Sequence, residues 1–171
     1  MHWLQFDVSG LAGKPGLSRR LSASGSIPGL AGGMGRVDDA GPVYVEATMT
    51  SREDGIDVKG RAWGRFDLSC SRCLMEYAED FGVNFKETYY YVAELADERD
   101  GYEISGQTVD LEPMLRDAIV LSIPIRPVHS GDCRGLCYVC GTDLNVAACE
   151  HVDEPIDKRW APLGKLFADE S

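Results

Sequence analysis

The sequence predicts an α+β fold: an antiparallel β-sheet, either a meander or a partial barrel, packed by one main helix and followed by a cysteine-rich segment near the C-terminus. Three observations carry this expectation. From Pro42 onward, apolar residues alternate with polar ones through three successive runs, the pattern of half-buried strands. A single stretch, VDLEPMLRDAIVLSIP, then switches to helical spacing. Finally, four of the six cysteines fall within HSGDCRGLCYVCGTDLNVAACEH, between His129 and His151.

A chain of 171 residues is long enough for one domain with a proper core, and its 44% hydrophobic and 26% charged content is ordinary for a globular protein. A single domain is therefore expected over 1–171, with an N-terminal strand and Gly-rich loop in 1–36, sheet and helix in 42–125, and a metal-binding segment with a tail in 126–171. Seventeen basic against 28 acidic residues give a net charge of −11, which argues against a large duplex-binding face. A protein partner, or a small basic patch within an acidic whole, fits this charge better. The opening MHWLQFDVSG has no basic, apolar leader pattern, and no stretch approaches the length of a membrane span. The expectation is a cytoplasmic protein with no membrane role, whose thiols are kept reduced.

Residues 1–36 hold eight of the 19 glycines, four basic residues (Lys14, Arg19, Arg20, Arg36) and the single acid Asp7. WLQFDV suits a strand with Trp3 or Leu4 and Phe6 or Val8 inward. SASGSIPGLAGGMGR reads as a flexible loop, since Gly and Pro break both regular patterns. That loop is either plain solvated chain or an arm that touches RNA or an acidic partner.

PVYVEATMT puts Val43, Val45, Ala47 and Met49 on one face, and SREDG makes a turn. GIDVKGRAWGRFDLSC repeats the alternation through Ile56, Val58, Ala62, Phe66 and Leu68. EYAEDFGVNFKETYYYV places Tyr77, Phe81, Val83, Phe85, Tyr89 and Tyr91 in phase, as core positions and not as a platform for stacking bases. Three such runs in succession suggest a meander with one buried face. ELADERDGYEISGQ reads as a solvated acidic loop. In the helical stretch, Leu111, Met114, Leu115, Ala118 and Ile119 share one face, Asp110 suits the N-cap, Pro113 the first turn, and Pro124 the end.

CSRC, with Cys70 and Cys73, falls where the second and third runs should make their hairpin, the geometry of a zinc knuckle. Zinc takes four soft or borderline ligands in a tetrahedron, best supplied as close pairs so that little loop entropy is lost. Cys137 and Cys140 form one pair, followed by Gly141. Cys149 and His151 form another after eight intervening residues. His129 and Cys133 could close a second tetrahedron with Cys70 and Cys73. The competing arrangement is one all-cysteine site of Cys70, Cys73, Cys137 and Cys140. Spacing leaves one or two structural zincs open. A thioredoxin-like role is disfavoured because neither C-x-x-C opens a helix after a buried strand. Ligation rich in cysteine with surplus ligands favours closed sites over catalytic ones, and no H-E-x-x-H, phosphate loop or nucleophile elbow is present. No enzymatic activity, catalytic residue or small-molecule substrate is expected. His2 is read as merely terminal.

At CSRCL, DLEPMLRDAIVLSIPIRPV, CRGLCYVCGTDLN and DKRWAPLGKL the chain resembles the bacterial YceD-type proteins, named for accumulation of large ribosomal subunit RNA. The resemblance runs from about residue 40 to the end, with the motifs in family order. It implies a non-enzymatic ribosome-biogenesis factor that supports the level of large-subunit ribosomal RNA. Cys70, Arg72, Cys73 and Leu74 match the family's C-x-R-C-L turn. Cys133, Gly135, Leu136, Cys137, Cys140 and Gly141 match its C-x-G-L-C-x-x-C-G segment, with Leu144 and Asn145 following. Some relatives have cysteine at the place of His129 and C-x-C at that of Cys149-Glu150-His151, conservative departures for a zinc ligand. Other relatives lack the C-x-x-C-G segment, which implies that the second site is a stabiliser. Asp157, Lys158, Arg159 and Leu163 resemble the family's D-x-R-x-x-x-L tail, read as a short docking helix capped by Asp157. The implied partner is a large-subunit ribosomal protein or a pre-ribosomal particle. Direct RNA contact through residues 14–36 with Arg126, Arg134, Lys158 and Arg159 is the alternative, and a zinc- or redox-responsive switch is a third.

Overall fold

A computed structural model describes residues 2–30, 41–151 and 159. Its main sheet contains β2 (Ser18–Gly25), β3 (Val43–Ser51), β4 (Gly55–Ser69), β5 (Glu76–Tyr90) and β6 (Tyr102–Glu103), hydrogen-bonded in that order. The first four strands are antiparallel, as the three alternating runs require, and β6 adds in parallel to β5. A small second sheet pairs β1 (Gln5–Asp7) with β7 (Thr108–Asp110). The helices are α1 (Ala93–Glu98) and α2 (Glu112–Ser122).

Alternation dictates the layers. Val43, Val45, Ala47 and Met49 of β3, with Ile56, Val58, Ala62, Phe66 and Leu68 of β4, face one side and are buried. From β5, Phe81, Phe85 and Tyr89 join them, while Tyr77, Val83 and Tyr91 pack at the margin. The buried face of α2, Met114, Leu115 and Ile119, closes this core together with Leu4, Val8 and Leu111. Burying each of these side chains contributes about 1.5–3 kcal/mol. Tyr89 ties sheet to helix, its hydroxyl donating to the Asp110 carbonyl at 3.0 Å.

Three expectations are corrected. Ser22–Gly25 is not loop: it continues β2, pairing with Glu46 back to Val43. Small residues here let β2 complete the ladder of β3, and pairing outweighs their poor strand propensity. Beyond it Ile27 and Leu30 are buried in the core. The rest of the glycine-rich loop, from residue 31 to Arg36, lies outside the described residues, as do Asp157, Lys158 and Leu163 of the expected tail helix.

ELADERDGYEISGQ is likewise more than a loop. It forms α1 and β6, because Ala96 and Ile104 are buried and Tyr102 stacks on Tyr89 with ring centroids 5.2 Å apart. Arg99 anchors its turn through Asp54 at 3.1 Å and over the Tyr90 ring at 5.6 Å. Finally, Asp110 caps α2 one position early. It is the last residue of β7, Leu111 occupies the N-cap, and the Asp110 carboxylate still accepts from the Glu112 N–H at 2.9 Å.

The long β4–β5 hairpin carries CSRC to one end of the sheet, and the chain leaving α2 returns there. The Ser71 N–H donates to the Pro127 carbonyl at 2.7 Å, which docks the segment after α2 beside the hairpin turn. Among the described residues no helix is long and apolar enough to cross a membrane.

Candidate metal centres

The eight residues expected as metal ligands converge in two groups. Cys70, Cys73, His129 and Cys133 form the first, and Cys137, Cys140, Cys149 and His151 the second; within each, every ligand atom lies within 4.8 Å of the others. Cys70 and Cys73 thus share their group with His129 and Cys133, and not with Cys137 and Cys140 as the all-cysteine arrangement requires. All six cysteines are free thiols.

The donor sets fit zinc. With Zn–S near 2.3 Å and Zn–N near 2.0–2.1 Å, a tetrahedron has S···S edges of about 3.8 Å and S···N edges of about 3.6 Å. Cys70 Sγ and Cys133 Sγ stand 3.8 Å apart, Cys73 Sγ and His129 Nδ1 3.4 Å, and Cys137 Sγ and His151 Nδ1 3.9 Å. Disulfide sulfurs would sit near 2.05 Å. Were zinc bound by all four residues of a group, its tetrahedral coordination would be filled by protein.

Local backbone explains the convergence. Both C-x-x-C turns have the same hydrogen-bond pattern. Cys70 N–H donates to the Met75 carbonyl at 2.9 Å and Leu74 N–H back to Cys70 at 2.9 Å; Cys137 N–H donates to Thr142 at 2.8 Å and Gly141 N–H back to Cys137 at 2.8 Å. The residue after the second cysteine is left-handed in each, Leu74 at φ 62° and Gly141 at φ 73°. Glycine takes that conformation freely, whereas leucine pays about 1–2 kcal/mol for it.

Arg72 links the segments that carry the two centres. Arg72, inside the first knuckle, donates from its guanidinium to the carbonyls of Cys133 at 2.8 Å and Gly131 at 3.3 Å, and its own carbonyl accepts from Leu136 N–H at 3.0 Å. Gly135, at φ 75°, passes close to Arg72, where a β-carbon would lie 3.1 Å from the Arg72 carbonyl oxygen. Asn145 was matched only as part of a motif, but its amide donates to Cys133 Sγ at 3.6 Å and its side-chain oxygen accepts from Arg134 N–H at 2.7 Å. Nothing in cysteine spacing reveals these supporting roles; a polar side chain a few residues beyond a knuckle is the only signal.

Burial separates the centres. Cys70, Cys73 and Cys133 are buried against Tyr77, Val128 and Leu136. In the second group Cys137 is buried, Cys149 half-buried, and Cys140 and His151 exposed. Burial pushes the Cys70 thiol up, but N–H donors from Cys73 and Arg72 and hydrogen bonds to His129 bring it down to about 5. The Met75 N–H favours a Cys73 thiolate, yet burial and the neighbouring sulfurs of Cys70 and Cys133 overcome it and push Cys73 up to about 11. Hydrogen bonds from the N–H groups of Cys140 and Val139 bring Cys137 to about 7. Clustered thiolates repel unless a cation lies among them, and a divalent ion removes that repulsion.

The other sequence-predicted contacts are dispersed. Arg19 and Arg20 lie on β2, not on a free arm, and Arg19 donates to the Asp7 carbonyl at 3.1 Å. Lys14 donates to the Gly10 carbonyl at 3.2 Å, and Arg126 and Arg134 are exposed near the first centre. His2 is not merely terminal, its ring standing 3.4 Å from the Glu112 carboxylate.

Comparison with known proteins agrees with the motifs. The family model described as large ribosomal RNA subunit accumulation protein YceD matches residues 58–167. An uncharacterised protein of Mycobacterium tuberculosis is 29% identical over 170 residues, covering 96% of this chain and 82% of the relative. One of Mycobacterium leprae is 29% identical over 171 residues, covering 95% and 77%. A chloroplastic YCED homolog 1 of Arabidopsis thaliana, named for large ribosomal RNA subunit accumulation, is 36% identical over 58 residues, covering 34% and 18%. No solved structure gives a significant match.

Proposed function

Because the chain belongs to the YceD family, whose name refers to large ribosomal RNA subunit accumulation, we propose that it supports accumulation of that RNA without catalysing a reaction. It does so in the cytoplasm by binding a large-subunit ribosomal protein or a pre-ribosomal particle, with one structural zinc in each of the two centres. Closed tetrads leave the metal no reactive position, so its part is to hold shape.

The observation that carries the binding role is what the knuckles present. Leu74 and Met75 at the first turn are 59% and 47% exposed, and Tyr138 and Val139 at the second are 67% and 54% exposed. Large apolar side chains held outward on metal-fixed turns suit a partner surface more than they suit solvent. The acidic composition, −11 overall, suits basic ribosomal proteins.

The test is complementation. A strain lacking the protein is expected to show a lowered ratio of large- to small-subunit ribosomal RNA, restored by wild type. Tyr138→Glu with Val139→Glu should fold and bind zinc yet fail to restore it, and wild type at low salt should retain a basic ribosomal protein or a precursor particle. An unchanged ratio in the deletion strain defeats the proposal. So does full rescue by the double variant.

A further inference from the structure

The outer face of the main sheet turns away from the core. The strand register places its side chains in cross-strand rows. One row reads Arg20, Thr48, Lys59, Lys86, and the next reads Ser22, Glu46, Arg61, Asn84. Four cations and one acid occupy these eight positions, in a chain whose net charge is −11. A shallow depression crosses the two rows, with Arg20, Glu46, Lys59, Arg61 and Asn84 among its lining.

These cations are not spent on the protein's own acids. Arg52, Arg65, Arg99 and Arg116 make ion pairs, but among the described residues Arg20, Lys59, Arg61 and Lys86 make none. Lys59 and Lys86 stand directly opposite one another, a like-charge pair that costs the sheet stability. Glu46 stands opposite Arg61, yet the guanidinium turns to the Trp63 ring, 6.0 Å from its centroid, and lies over Gly82. In the next row Trp63 stacks with Tyr44 at 5.9 Å and 15°. Tyr44 has only Ser24 beside it on β2 and remains 43% exposed. On the other side, the neighbouring row holds one acid, and it is already engaged: Asp57 pairs with Arg52 at 3.2 Å and accepts from Thr88 at 2.9 Å.

We infer that this face binds single-stranded RNA: Arg20, Lys59, Arg61 and Lys86 receive phosphates, and Tyr44, backed by Trp63, receives a base. An open sheet with cations in rows beside an exposed aromatic has the two components of single-strand recognition, an electrostatic track and a stacking surface. The row from Arg20 to Lys86 crosses three strand intervals, about 14 Å, so one flexible strand can lie along it whereas a rigid duplex would meet it only in part. Apolar partners are disfavoured by the same charges, and an acidic peptide would leave the aromatic pair unused. Choosing RNA over single-stranded DNA rests on the ribosomal reading above.

The experiment measures binding of a labelled 12-nucleotide oligo-U RNA to the zinc-loaded protein by fluorescence anisotropy at several salt concentrations. Four phosphate contacts predict a log–log salt slope of about −2.8, a loss of about 50-fold between 50 and 200 mM salt. Lys59→Ala with Arg61→Ala should halve the slope. Tyr44→Ala should weaken binding at least about fivefold and leave the slope alone. Arg65→Ala, whose partner Asp80 is on the same strand pair, should change little. Thermal melts verify that each variant is folded. No binding at 50 mM salt, binding indifferent to these variants, or equal binding of a poly-glutamate peptide with the same dependence overturns the assignment. Absence of RNA binding, with rescue of ribosomal RNA by wild type intact, would overturn this assignment and leave the family role standing. RNA binding through this face with no ribosomal RNA defect in the deletion strain would do the reverse.

Discussion

Replacing Cys70 with serine is expected to destabilise the whole domain, whereas Cys149→Ser is expected to loosen only the chain around the second centre. The difference follows from what each metal would close. The first centre joins positions 63 residues apart, and the second joins positions 14 apart. Treated as cross-links, these loops restrict the unfolded chain by about 4.3 and about 3.0 kcal/mol respectively. Burial widens the gap, because the first centre is packed on Tyr77, Val128 and Leu136 beside the main core, whereas Cys140 and His151 face solvent. For a domain of this size each kcal/mol corresponds to about 2–4 °C in Tm, so loss of the first loop should lower Tm by roughly 9–17 °C. Loss of the second should appear as local opening with a smaller change in Tm. The assay is zinc per chain and thermal melting for wild type, Cys70→Ser and Cys149→Ser, purified without added metal. Two zincs in wild type and one in each variant, with the larger Tm loss in Cys70→Ser, are expected. Equal Tm losses, or a larger loss in Cys149→Ser, would refute the reasoning. One zinc, lost in Cys70→Ser but kept in Cys149→Ser, would return the ligands to the all-cysteine arrangement.

Two further outcomes test the support around the metals. Arg72→Met removes the donors to the Cys133 and Gly131 carbonyls and should weaken zinc at the first centre about 10–100-fold in chelator competition, with Arg72→Lys failing to restore the forked contact. Gly141→Ala forces a β-carbon into φ 73° and should cost about 1–2 kcal/mol locally, read as roughly tenfold weaker zinc at the second centre with little change in Tm.

Much of the fold was legible because its signals are periodic and local. Alternation through Val43–Met49, Ile56–Leu68 and Tyr77–Tyr91 specifies which face of each strand is buried, and the spacing of Leu111, Met114, Leu115 and Ile119 specifies the helix. The misread segments are those whose structure depends on a partner. Ser22–Gly25 has little strand character of its own and becomes a strand by completing the edge of β3. Tyr102 and Glu103 form β6 only because β5 offers them an open edge, with Tyr102 settling on Tyr89.

The same division holds for function. Residue chemistry by itself singled out the eight candidate ligands, since cysteines in a C-x-x-C turn must converge whatever surrounds them, and the motif order pointed to the family that the family model shows. Only the tertiary structure decided how these candidates are grouped, because the long hairpin and the chain leaving α2 bring Cys70 and Cys73 to His129 and Cys133 across more than fifty residues. Only it gathered Arg20, Lys59, Arg61 and Lys86 onto one face beside Tyr44 and Trp63. Those residues come from four strands, and proximity across a sheet is set by register, which pairwise hydrogen bonding fixes and linear sequence does not display.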